Sequence, residues 1–244
     1  MSRNFELLTE AECELDATDN CTLGAAVHAA AKAAAPVDGG DICQQEMSRL
    51  VQRVFLSTNG IAPRRVLFCG VGAESGSSSV CARAGRILAT HSCQPVCLVD
   101  ANLKSPRLSA MFGVDTTIPF FRKSGPAREQ CVEIDGNLWL AGPGVLAGDR
   151  AGLASMDELK ERLAELRALF EYVLIDAPGT NFCGDASLLG QITDATILVV
   201  EANSTRRLTV RKAKEVLDAA GVRLLGTVLR GRSFPIPEKL YKRL

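Results

Sequence analysis

Between residues 65 and 79 the chain reads Arg65-Val-Leu-Phe-Cys-Gly-Val-Gly-Ala-Glu-Ser-Gly-Ser-Ser-Ser79. The first half is an apolar run of strand character. The second is a glycine- and serine-rich turn in front of a segment read as a helix. Such a turn presents backbone N–H groups at the positive end of a helix dipole, which is a ready site for an anion. Three readings of it stand side by side. As a phosphate loop of the form GxxxxGK[ST], its last glycine is Gly76, Ser78 is the magnesium-binding hydroxyl, Val71 stands at the first glycine and Ser77 stands where lysine is required. As a dinucleotide turn, GxGxxG is met by Gly70 and Gly72, with the third glycine off by one at Ser75 or Gly76, and Asp100 stands where a ribose-binding carboxylate belongs. The third reading is a tight strand-to-helix connection that binds nothing.

Outward from this stretch, further apolar runs follow at 95–100 (PVCLVD), 137–142 (NLWLAG), 172–177 (YVLIDA), 195–201 (ATILVVE) and 222–229 (VRLLGTVL). Most are continuously apolar, as suits strands covered on both faces of a parallel sheet. Helical segments separate them. From Asp41, a plausible N-cap, Met47, Leu50, Val51, Val54 and Phe55 recur at helical spacing until Gly60 stops the pattern. Ser155 and Glu158 have capping-box spacing ahead of the stripe Leu159, Leu163, Leu166 and Phe170. Leu208, Ala213, Val216, Leu217 and Ala220 are read as one buried face, stopped by Gly221. Alternating strand and helix make the fold class α/β, a doubly wound, mostly parallel sheet in three layers. Residues 1–40, acidic, then alanine-rich, then closed by Pro36-Val-Asp-Gly-Gly40, are read as a short helix and flexible linker, and 41–244 as the folded domain.

Bulk composition narrows the partners. Twenty-eight basic and twenty-eight acidic residues cancel, so no overall field favours nucleic acid or an anionic membrane. The basic run Arg206, Arg207, Arg211, Lys212 and Lys214 is read as a solvated helix face, with nucleic-acid binding as its alternative. Nine cysteines, an odd number without a CxxC pair or a recognised secretory signal, suit reduced and mostly buried thiols. No apolar run reaches the roughly 18–20 residues of a membrane span. The expectation is a cytoplasmic protein that a partner brings to the membrane.

In α/β folds of this kind ligands gather at the carboxyl ends of the strands. Asp100 ends VCLVD and Asp176 lies near the end of YVLIDA, which suits carboxylates that hold Mg²⁺ beside a bound triphosphate. With these residues in place, most of the chain resembles the bacterial tyrosine kinases of capsule and exopolysaccharide synthesis, a branch of the deviant-Walker P-loop ATPases. The similarity lies in MSRNFELLTEAE, in EMSRLVQRVFLSTNG, in VDANLKSPRLSAMFG, in VLIDAPG and in FPIPEKLYKRL. The resemblance implies ATP or ADP with Mg²⁺, contacts from Gly72, Ser75, Gly76, Ser77, Ser78, Ser79, Lys104 and Arg230, and Mg²⁺ ligation by Ser78, Asp100 and Asp176. It makes the two aspartates the catalytic carboxylates, and Tyr241 a possible phosphate acceptor.

The departures are specific. The family's lysine falls on Ser77, a second acid on Asn102, a nearby arginine on Lys104 and the base-contacting asparagine on Arg230. In the family's self-association helix Glu46 and Arg49 match, while the second arginine falls on Gln52. No tyrosine-rich tail is present, Tyr172 and Tyr241 being the two tyrosines. Losing one preorganised donor costs about 10² to 10³ in rate, so the expectation is a weakly active or inactive regulatory partner of exopolysaccharide assembly. Its partners would be a membrane-embedded polymerisation or export adaptor and further copies bound through the Glu46–Phe55 helix. The alternatives are a working ATPase or tyrosine autokinase and, further off, a dinucleotide-binding protein.

Overall fold

The computed structural model describes residues 8–10, 40–56, 62–72, 75–103, 105–114, 127–148, 152–180 and 184–231. Along the chain these residues form β1 (Leu8–Glu10), α1 (Gly40–Phe55), β2 (Arg65–Gly70), α2 (Ser77–Ser92), β3 (Val96–Asp100) and α3 (Leu108–Met111). There follow β4 (Cys131–Asp135), β5 (Leu138–Ala141), α4 (Met156–Leu169), β6 (Tyr172–Ala177), α5 (Asp185–Ile192), β7 (Ala195–Glu201), α6 (Arg207–Ala219) and β8 (Leu224–Arg230). One eight-stranded sheet runs β1-β8-β7-β2-β6-β3-β5-β4. Every pairing is parallel except β4 with β5.

Strand alternation divides the core in two. Val66, Phe68, Val96, Leu98 and Leu174 face a layer made by α1 and α2, with Met47, Leu50, Val51, Phe55 and Leu88 packed among them. Leu67, Cys69, Cys97, Val99, Val173 and Ile175 face the opposite layer of α4, α5 and α6, meeting Leu159, Leu163, Leu166, Leu189 and Leu217. Gly85 lets α2 rest on β3, since a methyl there would stand 2.6 Å from Leu98 Cδ2. Helix α4 opens with the predicted capping box, Ser155 and Glu158 satisfying each other's backbone N–H. Gly221, at φ 71, follows the end of α6 in the left-handed conformation that favours glycine.

Three local expectations change. Leu8–Glu10, inside the segment read as helix and linker, forms a strand on the outer edge of β8. Cys131–Asp135 forms an antiparallel edge strand that the sequence did not reveal, because its side chains are mostly half-buried or exposed and supply no apolar run. On α6, Leu208 and Val216 are 61% and 51% exposed. Ala213 and Leu217 are buried, with Val210 and Ala220 packed beside them. At about 100° per residue Leu208 lies some 140° around the helix from Ala213, outside the buried stripe.

Candidate phosphate site

The turn after β2 is shaped by close backbone approaches. Gly72 and Gly76 have φ of 100° and 73°, values that L side chains rarely adopt. A methyl on Gly70 would fall 1.6 Å from Ser75 Oγ, so the buried Ser75 side chain folds against Gly70 and props the loop from within. From the other side comes the segment after β6. Gly179 is bare because a methyl there would lie 2.5 Å from the Gly72 carbonyl oxygen, and Thr180 N donates to Gly70 O at 2.9 Å. Helix α2 then starts behind Gly76 with no side-chain cap, leaving first-turn N–H groups of Ser77, Ser78 and Ser79 for an anion.

The two aspartates meet as the alternation requires. In β3 the series Val96, Leu98, Asp100 faces α2, and in β6 Leu174 and Asp176 do the same. Register sets Asp100 directly beside Asp176, with Phe68 on the far side of Asp176. Both carboxyls are buried. Asp100 Oδ1 accepts from Asn102 N at 3.1 Å and Oδ2 from Leu108 N at 3.0 Å, tying the carboxyl to the loop and helix behind it. Burial pushes Asp100 up to about 6, against the pull of these N–H groups. Asp176 is pushed up to about 7, chiefly by burial and further by Asp100, while Ser78, Ser77 and the Arg107 charge oppose the shift.

Ser77 Oγ donates to Asp176 Oδ1 at 3.1 Å. Where a phosphate loop would send a lysine over the phosphates, this chain turns a small hydroxyl inward onto its own carboxylate. Asp176 Oδ2 is buried without a hydrogen-bond partner among the described residues. An orphaned carboxylate oxygen, the Ser78 hydroxyl and the neighbouring Asp100 carboxyl are all oxygen donors and fit a hard divalent cation such as Mg²⁺.

Arg230 reaches the same loop from the end of β8. A methyl on Gly76 would lie 2.2 Å from Arg230 Nη1 and 2.7 Å from Cζ, so the guanidinium rests on the glycine that opens α2. Gly72, Ser75, Gly76, Ser77, Ser78, Ser79, Asp100, Asp176 and Arg230 are thus gathered around one helix end. Lys104 and Tyr241 lie outside the described residues. Tyr172 stacks edge-on against Phe55 at 5.7 Å and is half-buried. Glu46 and Arg49 pair with each other on α1, and the five basic residues near α6 are all exposed. Two residues join the site without having been expected there: Arg107, whose charge acts on Asp176, and Gly179, through its close approach to Gly72. The Pro-Arg pair before α3 and the Gly that ends VLIDAPG were the available signals.

No protein-family model matches the chain. It is 28% identical over 163 residues to the tyrosine-protein kinase YwqD of Bacillus subtilis (strain 168), covering 64% of this chain and 68% of that protein. Among solved structures, the kinase domain of the Escherichia coli tyrosine kinase ETK superposes with a TM-score of 0.69 at 16% identity, over 95% of this chain and 93% of that one. Cobyrinic acid a,c-diamide synthase from Mycobacterium smegmatis, solved with an ATP analogue and magnesium, superposes with a TM-score of 0.55 at 17% identity, over 69% and 72%. Among the described residues no helix is long and apolar enough to cross a membrane. The chain is a homologue of the bacterial tyrosine-protein kinases, built on the fold of the P-loop ATPases.

Proposed function

We propose that this protein is a nucleotide-site relative of the capsule and exopolysaccharide tyrosine kinases that has given up efficient phosphoryl transfer and acts as a regulatory partner in that assembly. The observation that carries the reading is the Ser77 hydroxyl bonded to Asp176 at 3.1 Å. In phosphoryl transfer the protein works mainly by positioning and by stabilising charge on the transferred group. A serine committed to the metal-side carboxylate offers the terminal phosphate no positive charge, and Asn102 removes a further carboxylate. Magnesium, held by Ser78, Asp176 and Asp100, would still neutralise phosphate charge and favour binding over turnover. Its setting would be the inner face of the membrane, recruited by a membrane-embedded adaptor, with residues 1–40 and the exposed side of α1 as contacts to that adaptor or to further copies.

The test is ATP hydrolysis and tyrosine labelling by the purified full-length chain beside Asp176→Ala and Ser77→Lys. The expected outcome is background turnover in the wild type, indistinguishable from D176A, with any gain confined to S77K. A wild-type rate that D176A abolishes would overturn the reading in favour of a working autokinase or ATPase.

A further inference from the structure

We infer that Arg230 is the cationic ligand of the phosphate loop, supplying from β8 the positive charge that Ser77 does not supply from α2, and that loop and guanidinium together hold a diphosphate group. The inference rests on the loop being a phosphate site, as proposed above, and concerns what holds the ligand rather than whether it reacts.

Three independent observations meet here. The guanidinium lies on Gly76, so close that any side chain at that position would displace it. It reaches there because Arg230 follows Val228 in the alternation of β8, which turns both toward the α2 layer. No hydrogen bond or ion pair joins the guanidinium to a described residue. The carboxylate best placed to take it, Glu201, its register partner on β7, is engaged instead by Ser204 Oγ at 2.7 Å. Finally, Asp176 is 1% exposed and its Oδ2 has no hydrogen-bond partner among the described residues, an oxygen that would suit a hard divalent cation. A planar donor fork with no partner among the described residues, N–H groups without a side-chain cap and an orphaned carboxylate oxygen together suit a metal-bound diphosphate.

The chemistry is shared by a nucleoside diphosphate and by inorganic pyrophosphate. Titration calorimetry of the full-length chain with Mg·ADP and, separately, with Mg·pyrophosphate distinguishes them. Arg230→Gln is expected to weaken binding about 10- to 100-fold, the range of a lost hydrogen bond to a charged group. Arg230→Lys should retain part of it, and Ser77→Lys added to R230Q should restore it by placing the charge at the usual point. Melting temperatures confirm that each variant is folded. Equal binding of both ligands locates recognition in the diphosphate; binding of ADP alone, still lost in R230Q, makes a nucleotide the source.

Unchanged affinity in R230Q overturns the inference. So does tighter binding in R230Q, which would mean that the arginine closes the loop, and so does a wild type that binds neither ligand. The first two outcomes leave the proposed function standing, the third removes its nucleotide site, and turnover that depends on Asp176 overturns the loss of catalysis alone.

Discussion

At the scale of single residues, Asp176 is buried beside a second carboxyl and takes a hydrogen bond from Ser77. Its acid form is favoured in the fold, with burial the leading cause, up to about 7. The folded chain therefore holds a proton that the unfolded chain has released between about pH 4 and pH 7. By linkage, this group's contribution to stability falls as pH rises through that window. Asp176→Asn removes the charge while keeping the shape, so the variant should melt higher than the wild type at pH 8. It should also lose less stability between pH 5 and pH 8. Each tenfold change in an acid constant carries about 1.4 kcal/mol, so a gain of a few kcal/mol at pH 8 is expected in thermal melts without magnesium. A wild type and variant with parallel pH profiles would contradict it. The identity of this carboxylate was legible from an apolar strand that ends in Asp. Its partnership with Ser77 was not, because the hydrogen bond joins residues 99 apart in sequence and only the fold brings them together.

At the scale of elements, strands buried on both faces were readable because their apolar runs are continuous, as in β6 and β7. The capping box of α4 was readable because it is local. The edges were not. In β4, Val132 and Glu133 are exposed, and β1 is three residues long, so neither carries a period that separates it from a loop. Pattern failed on α6 for a different reason: apolar residues on two sides of one helix do not say which side is covered, and Leu208 and Val216 fell on the open one. Edge strand β1 nonetheless shields the outer hydrogen-bonding edge of β8, and α1 touches it as well. Deleting residues 1–10 should destabilise the protein by roughly 1–3 kcal/mol, the net worth of a few ladder hydrogen bonds. It should also increase aggregation, because a bare parallel edge invites pairing with another chain. Denaturant titration and light scattering read the two effects.

At the scale of the whole molecule, one sheet connects the parts of the candidate phosphate site: β2 leads into the glycine-rich turn, β3 and β6 bring the carboxylates, and β8 brings Arg230. The three strands β2, β6 and β3 stand in the middle of the order, with helices over both faces. Stability in such a fold is graded from centre to rim. Native-state hydrogen exchange should therefore find the slowest amides in β2, β6 and β3 and the fastest ladder amides in β1 and β4. Exchange in Gly70–Gly72 should slow on adding Mg·ADP. Equal protection across all strands would argue against this gradient.

The pairing of β1 with β8 also has a consequence for how the protein is made. Leu8 is made before the whole of α1 to β7, whereas Val228, the residue it pairs with, is made after them. The first strand must therefore wait until all the intervening elements have been made before its place in the sheet exists. The strand that carries Arg230 is the one it waits for. Premature termination anywhere before β8 would leave β1 without its partner strand and Gly76 without Arg230 against it.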